Sequence, residues 1–162
     1  MRTPAVLVAI ALLQTATIAR AKPDDHASFF AGAGITAGTS GLSASIAGRF
    51  ALGRARLGST VAVSFGLGRD NVSLRPLATC DYDVSAEKDV RIWLGAALGP
   101  SFSFAANTVG LAALATLDVA VPLATHFAFD VVVRAGFDEP LSIPSDRPEA
   151  LGVFALGVTW EL

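Results

Sequence analysis

Large apolar residues occupy alternate positions along most of the chain. The last twelve residues, 151–162, are a clear instance, because the large side chains share one face and small or polar side chains share the other. The apolar face carries Gly152, Phe154, Leu156, Val158, Trp160 and Leu162. A period of two predicts a β-strand with one apolar face.

Eight segments follow this pattern, separated by connections rich in Gly, Pro, Asp, Asn and Ser. The predicted strands are 28–37, 42–52, 57–67, 72–84, 91–104, 109–121, 126–137 and 151–162. Eight antiparallel strands can close into a barrel, which removes the unpaired edges of an open sheet. The pattern therefore predicts an all-β fold, an eight-stranded antiparallel up-and-down barrel.

The second face of these strands decides which side of the barrel faces water. It consists mostly of Gly, Ala, Ser and Thr, and its charged members are Arg49, Arg75, Asp81, Asp83, Arg91, Asp118, Asp130, Arg134 and Glu161. A water-facing coat needs more charge than this. In a membrane barrel, by contrast, the apolar face meets lipid and the charges share a narrow lumen. The pattern therefore predicts a transmembrane barrel with a luminal charge network.

Aromatic residues support the same orientation. They fall near the two ends of the strands, as expected for aromatic girdles at the membrane interfaces. One predicted girdle contains Phe29, Phe50, Phe127, Phe129 and Trp160, and the other contains Phe65, Phe102, Phe104, Phe137 and Phe154. Short turns on the periplasmic rim and longer loops outside are expected for this fold.

The N-terminus has the pattern of a secretory signal peptide. Arg2 precedes an apolar run at positions 5–13, and small residues flank Arg20. This pattern predicts cleavage after Ala21, which divides the chain into a signal peptide, 1–21, and a barrel, 22–162. Cleavage takes two of the 12 basic residues and none of the 14 acidic ones, which leaves a net charge of about −4. Such a charge does not favour nucleic acid as a partner.

The mature chain resembles the small outer-membrane barrels of the OmpA transmembrane-domain or OmpX kind. The resemblance includes the C-terminal run Gly157-Val158-Thr159-Trp160-Glu161-Leu162, which is similar to the family's assembly signal through Gly157, Trp160 and Leu162. It departs from the usual form in ending on leucine instead of an aromatic residue. The resemblance implies an outer-membrane location, contact with outer-membrane lipid, and recognition of the last strand by the barrel-assembly machinery.

The sequence shows few residues in a pattern typical of a metal, cofactor or catalytic site. The two histidines and the single cysteine, Cys80, lie on different segments, so we predict no metal site and no cofactor. Some barrels of this size resemble lipid A deacylases or acyltransferases, which need a serine and a histidine at the outer-leaflet rim. His126 is expected at the periplasmic rim and His26 precedes the first strand. We therefore predict a protein that is not an enzyme.

The luminal charges suggest a plug. Asp118 and Asp130 are expected to lie close together, with Arg134, Arg91 and Arg49 as partners. Eight strands leave space only for side chains, so a salt-bridged, closed lumen is favoured over a selective pore.

The sequence thus predicts an outer-membrane barrel with a structural or interaction role, and the loop 138–150 is the candidate for outside contact. A soluble exported lipocalin-like barrel that binds a small apolar ligand is the first alternative. A lipid-modifying outer-membrane enzyme is the second.

Overall fold

Alternating apolar and polar residues form eight strands that hydrogen-bond in chain order and close into a barrel. The computed structural model describes residues 26–37, 41–66, 72–85, 89–104, 107–141 and 148–162. The strands are β1 (His26–Ala37), β2 (Gly41–Leu52), β3 (Ala55–Gly66), β4 (Val72–Asp83), β5 (Arg91–Ser103), β6 (Thr108–Ala124), β7 (Phe127–Pro140) and β8 (Glu149–Glu161). Every pairing is antiparallel, including the closing pair of β1 and β8. The predicted all-β, eight-stranded barrel is therefore confirmed.

The strands are staggered around the barrel. Successive pairings lead from Ser28 through Arg49, Gly58, Thr79, Ala97, Leu114 and Gly136 to Leu151. On the closing side, however, Ser28 pairs with Glu161, ten residues from Leu151 on the same strand. This offset is the shear of the barrel, which tilts the strands against its axis. As a result, side chains that meet across the lumen belong to strands that are not paired.

Several strand ends differ from the expectation. β1 begins at His26, which was expected to precede the first strand, and β3 begins at Ala55, β7 continues to Pro140 and β8 begins at Glu149. Arg56 therefore belongs to a strand instead of a turn, and Asp138 pairs with Glu149 instead of lying in a loop. The expectation was wrong because polar residues at these strand ends continue the ladder with lumen-facing side chains, whereas polarity alone is typical of a turn.

The connection between β6 and β7 also differs. β6 runs on to Ala124, and the turn contains Thr125 and His126. The register shifts between Pro122 and Ala124, so Leu123 forms a bulge and is exposed. His126, which was expected on the seventh strand, therefore lies in the turn.

Pro76 interrupts one ladder of the barrel, as its missing N–H predicts. It pairs with Val61 of β3, but the pairing of β4 with β5 is interrupted between Leu74 and Ala78 and resumes in the same register. The strand continues on both sides of the gap, so the proline lowers the regularity of β4 without ending it.

The barrel has two ends, which we name by what they carry. The terminal rim holds the start of β1, the end of β8 and the connections after β2, β4 and β6. The loop rim holds the connections after β1, β3, β5 and β7. The connections of the terminal rim include two short turns, at 53–54 and 125–126.

The core of the protein is the lumen itself. Alternate side chains point inward and are buried, and they include six of the predicted luminal charges: Arg49, Arg75, Asp81, Asp118, Asp130 and Arg134. The outward side chains are large, apolar and exposed; Ile46, Leu98 and Phe137, for example, are 51%, 54% and 59% exposed. The described part of the chain has no helix long and apolar enough to cross a membrane.

Candidate functional site: the polar lumen

A network of four charged side chains crosses the lumen near the terminal rim. Nη2 of Arg56 lies 2.6 Å from Oδ2 of Asp118, and Nη1 of Arg49 lies 3.0 Å from the same oxygen. Arg56 also donates from Nε and Nη2 to Oδ2 of Asp81, at 3.2 and 3.1 Å. We call Arg49, Arg56, Asp81 and Asp118 the central ion network. It joins β2, β3, β4 and β6, and all four side chains are buried.

Aromatic rings cover both arginines of this network. The guanidinium carbon of Arg49 lies 4.5 Å from the ring centroid of Phe30, and that of Arg56 lies 4.4 Å from the ring of Trp93. Cations at these distances are attracted by the ring face, more strongly when they are shielded from water. The network is thus held between two rings that also exclude solvent.

Glycines make room for the Phe30 ring. A Cβ atom at Gly157 would overlap this ring and the carbonyl oxygen of Ala31, and a Cβ at Gly32 would lie 2.5 Å from the ring. Phe30 is fully buried for this reason, although phenylalanine is unusual on a polar luminal face. Its packing depends on Gly32 and Gly157 having no side chains.

Three buried charges, Arg75, Asp130 and Arg134, lie outside the central ion network, and the last two each have a polar atom without a partner among the described residues. Asp130, on β7, accepts a hydrogen bond from the Thr159 hydroxyl, which in turn accepts one from Arg49. Its Oδ1 has no partner among the described residues. Arg134 lies on the same strand but closer to the loop rim. It donates from Nη2 to Thr60 at 3.2 Å, and its Nε has no partner in the described part of the chain.

A second polar tie lies toward the loop rim. Nε of Arg75 lies 2.9 Å from Oδ2 of Asp138, and the Ser101 hydroxyl donates to the same carboxylate. Arg75 also donates to Ser64 at 3.1 Å. These four residues join β3, β4, β5 and β7.

Apolar side chains fill the lumen between the two polar layers. Leu77, Leu114 and Leu151 are buried in one cluster with Ala97 and Ala112. A small cavity of about 10 Å³ lies beside this cluster. An aqueous path along the lumen would have to cross this apolar collar.

The lumen widens at the terminal rim. A cavity of about 240 Å³ lies there, bordered by Arg56, Trp93, Asp130, Arg91 and Glu161. Arg91 and Glu161 form an ion pair of 2.9 Å, with side chains that are 39% and 29% exposed. Nε2 of His26 lies 4.0 Å from Glu161 at the same rim.

The predicted luminal set therefore divides into groups. Asp83 hydrogen-bonds Ser85 in the connection after β4, and Arg91 pairs with Glu161, so these three charges lie at the rim and outside the central ion network. They differ from the others because they stand where the lumen opens to solvent. Arg49, Arg91 and Arg134 were expected to pair with Asp118 and Asp130. Of these three arginines, only Arg49 forms such an ion pair, with Asp118, and the second arginine bound to Asp118 is Arg56.

The predicted aromatic positions lie on the outer face, near the ends expected. Phe127 and Trp160 stack with ring centroids 5.9 Å apart and planes inclined by 13°, and Trp160 pairs with Phe29 in the register. Phe50 differs, because it keeps the outward parity of β2 but is only 9% exposed. Alternation fixes the direction of a side chain but not how far its neighbours cover it.

The remaining predicted girdle positions follow the alternation. Phe65, Phe104, Phe137 and Phe154 are exposed, and Phe102 and Phe129 are half-buried. Cys80, which shares the outward parity, is exposed as a free thiol.

The C-terminal run lies in the closing strand β8 up to Glu161, and Leu162 follows it. Trp160 is 51% exposed, and Leu162 is exposed and donates its N–H to the carbonyl of Ala27 at 2.9 Å. Gly157 faces the lumen beneath Phe30, as described above. Of the three residues of the predicted assembly signal, Gly157 therefore faces the lumen, whereas Trp160 and Leu162 are exposed.

Two important residues escaped the sequence analysis. Arg56 stands in a Gly-Arg-Ala-Arg run and Asp138 precedes a Pro-rich run, so both were assigned to connections. The parity of Arg56 with Thr60 on the luminal face of the same strand is the signal that could have found it.

Among the described residues, no three His, Cys, Asp or Glu side chains come together as a metal site. The two histidines both lie at the terminal rim, His26 at the start of β1 and His126 in the turn after β6.

No family model and no curated protein matches this sequence. Solved structures do match. The chain is similar to Neisserial surface protein A (TM-score 0.66, 14% identity), with 85% of this chain and 97% of that chain covered.

It is also similar to the Yersinia pestis outer membrane protein Ail in a phospholipid bilayer nanodisc (TM-score 0.54, 10% identity), with 86% and 100% covered. A third similar structure is the outer membrane enzyme PagL (TM-score 0.54, 12% identity), with 83% and 99% covered. At these identities the likeness establishes the fold, which is that of small eight-stranded outer-membrane barrels.

Proposed function

We propose that the mature protein is an outer-membrane barrel with a closed lumen and a structural or interaction role at the cell envelope. The observation that carries the proposal is the inverted distribution of polarity. Asp130 is fully buried inside, while Leu98 is 54% exposed outside. In lipid this arrangement is favourable, because the apolar face meets hydrocarbon and the charges are shielded.

The same distribution disfavours the soluble alternative. A lipocalin-like barrel keeps its apolar side chains inside, around a ligand, and shows water its polar face. Here the interior near the terminal rim holds two arginines and three aspartates, among them Arg56, Asp118 and Asp130. An apolar ligand would find no matching surface there.

The orientation follows from the connections. Short turns at 53–54 and 125–126 are typical of the periplasmic side, so we place the terminal rim in the periplasm and the loop rim outside. This orientation leaves the β7–β8 connection at the cell surface as the site for outside contact. Most of that connection, 142–147, lies outside the described residues.

The closed lumen rests on three successive layers. The central ion network, the apolar collar around Leu114 and the tie between Arg75 and Asp138 all occupy the interior. Eight strands enclose a space that side chains alone can fill. We therefore assign the charges a structural role in place of ion selectivity.

The similarity to the outer membrane enzyme PagL is a similarity of fold and does not identify a catalytic site in this chain, because fold does not imply function. In the proposed orientation, both histidines lie at the periplasmic rim, far from the outer leaflet. A serine activated there could not reach the acyl chains of an outer-leaflet lipid. The positions of His26 and His126 thus favour a protein that is not a lipid-modifying enzyme.

Export and assembly complete the proposal. The predicted signal peptide, 1–21, lies outside the described residues, and we propose that it is removed after Ala21. We further propose that the barrel-assembly machinery binds β8, whose exposed Trp160 and terminal Leu162 face outward at the periplasmic rim. The remaining partner is the outer-membrane lipid itself.

Fractionation of cells tests the proposed location. The mature protein should stay with the outer membranes after washing in high salt and in carbonate, because neither wash removes an apolar outward face from hydrocarbon. Release into the soluble fraction would instead support the lipocalin-like alternative. A lipid-modifying activity of the purified protein on lipid A or phospholipid vesicles would contradict the non-enzymatic assignment.

A further inference from the structure

Two prolines face each other in the seam between β4 and β5. The pairing of these strands is interrupted over a few residues and resumes in the same register, so Pro76 stands opposite Pro100. On their other sides both strands keep an unbroken register, in which Pro76 pairs with Val61 of β3 and Pro100 pairs with Leu111 of β6. The interruption therefore belongs to the β4–β5 seam and not to either strand as a whole.

Neither proline can donate a backbone hydrogen bond to the other. In an antiparallel ladder the N–H and C=O groups of one residue point to the same neighbouring strand, and successive residues alternate between the two neighbours. Because the ladders to β3 and β6 are intact at Pro76 and Pro100, the backbone groups of both prolines face the β4–β5 seam. A Cβ atom at Gly99 of β5 would overlap the Pro76 carbonyl oxygen, which agrees with this direction. Since proline has no N–H, both hydrogen bonds of this pair are missing.

The described part of this seam therefore contains a stretch without backbone hydrogen bonds, which we call the proline window. It extends from the pair Leu74–Phe102 to the pair Ala78–Leu98. Four residues of a strand span about 13 Å. Lost hydrogen bonds are the main cost of separating two strands in lipid, because no water replaces them. Separating β4 from β5 at the window breaks fewer such bonds than the same separation in a regular seam.

A carboxylate of β7 joins the two edges of the proline window on the luminal side. Arg75 and Ser101 each stand one residue from a proline, on opposite edges of the window. Nε of Arg75 lies 2.9 Å from Oδ2 of Asp138, and the Ser101 hydroxyl donates to Oδ1 of the same carboxylate. Asp138 thus links β4 to β5 at the place where their backbones are not linked.

The proline window separates two apolar surroundings. Pro100 and Ala78 are exposed on the outer face, and Leu77 and Ala97 belong to the apolar collar inside. Lipid chains are as apolar as leucine side chains, so contact between the collar and lipid chains costs little. Pro100 lies three residues from the end of β5 at the loop rim, which the proposed orientation places on the side of the outer leaflet.

We propose that the proline window is a lateral gate between the apolar collar and the outer leaflet, with Asp138 as its latch. While Arg75 and Ser101 both bind the carboxylate, the two edges are held together and the wall is closed. When these contacts are lost, only side-chain packing holds this part of the seam. The direction of the opening rests on the proposed membrane location, whereas the missing hydrogen bonds do not.

Amide hydrogen exchange of the full mature protein in lipid nanodiscs, followed by NMR, tests the proposal within one strand. By the alternation of the ladder, the N–H groups of Leu98 and Phe102 face β4 at the edges of the window, and those of Gly99 and Ser101 face β6. The two pairs of amides lie at the same mean distance from the loop rim, so their access to water is matched. We expect protection factors at least about tenfold lower for Leu98 and Phe102 than for Gly99 and Ser101.

Restoring the two donors should close the window. The double variant Pro76→Ala/Pro100→Ala regains both N–H groups, and the four protection factors should then agree within about threefold. Pro140→Ala is the matched control, because this proline lies at the end of β7 and outside the window. It should leave the difference between the two pairs of amides unchanged.

Weakening the latch should have the opposite effect. Asp138→Asn should lower the protection of Leu98 and Phe102 by about a further fivefold, and Glu139→Gln, which changes the exposed neighbouring acid, should leave it within about twofold. Equal protection of the two pairs in the wild type, or a difference that persists in the double variant, would overturn the gate. Unchanged protection in Asp138→Asn would overturn the latch. A protein that enters micelles but not nanodiscs would contradict the proposed membrane location, and the same comparison in micelles would then decide on the gate.

Discussion

Arg56 and Asp118 meet across the lumen from strands β3 and β6, with 2.6 Å between Nη2 and Oδ2 and with both side chains shielded from solvent. These strands are not neighbours in the barrel. The pair therefore ties opposite walls together, and Arg56 extends the tie to Asp81. It is the junction of the central ion network.

Replacing Arg56 should destabilise the barrel strongly. Arg56→Met leaves Asp81 without its arginine and removes one of two arginines from Asp118, and breaking a buried pair in this way costs about 3–5 kcal/mol. Arg91→Met is the control, because its pair with Glu161 is partly exposed and is worth about 0.2–1 kcal/mol. Reversible urea unfolding in lipid vesicles measures both free energies of unfolding. Equal effects of the two changes would argue against a buried network.

The outward direction of the apolar face can be tested by placing a charge at two different depths along that face. Leu117 pairs with Leu94 and Val133 in the outer face, and Leu117→Arg should cost about 2–4 kcal/mol if this position lies near the membrane midplane. Leu123→Arg places the same charge in the exposed bulge at the terminal rim and should cost about 0–1 kcal/mol. Vesicle-based unfolding again measures the difference. A barrel indifferent to both changes would not have this face in lipid.

The cost in stability of adding a side chain at Gly157 should depend on the size of the side chain at position 30. A Cβ at this position overlaps the Phe30 ring, so Gly157→Ala should cost about 1–3 kcal/mol through overpacking. In a Phe30→Leu background the cost should be smaller but not zero, since the overlap with the ring is relieved while the Cβ still lies 2.5 Å from the carbonyl oxygen of Ala31. Purified protein refolded without assembly machinery provides the measurement. An equal cost in both backgrounds would mean that the two residues are not coupled.

The β7–β8 connection should separate into a structural end and a dispensable middle. Asp138→Asn weakens the contacts with Arg75 and Ser101, which should cost about 1.5–3 kcal/mol. Replacing 142–147 by a short Asn-Gly linker should leave the barrel folded, because the ladder ends at Pro140 and resumes at Glu149. Migration of unheated samples on gels reports folding of both variants. Loss of folding on linker replacement alone would count against this assignment.

The alternation along each strand was sufficient to predict the barrel and the side of each residue. A period of two places Arg49 and Asp118 on one face and Leu117 on the other, whatever the partners are. The partners themselves were not predictable, because contacts across the lumen depend on the shear and on the reach of long side chains. Arg56 shows the limit most clearly, since polar residues at a strand end have the same composition as a turn.

Conductance measured in planar bilayers tests most directly whether the lumen is closed. With the central ion network, the apolar collar and the Arg75–Asp138 tie in series, the purified wild-type protein should give small or no currents. The buried apolar cluster of the described residues is expected to oppose the passage of hydrated ions. Steady, large channels formed by the folded wild-type protein would contradict the closed lumen on which the proposed function depends.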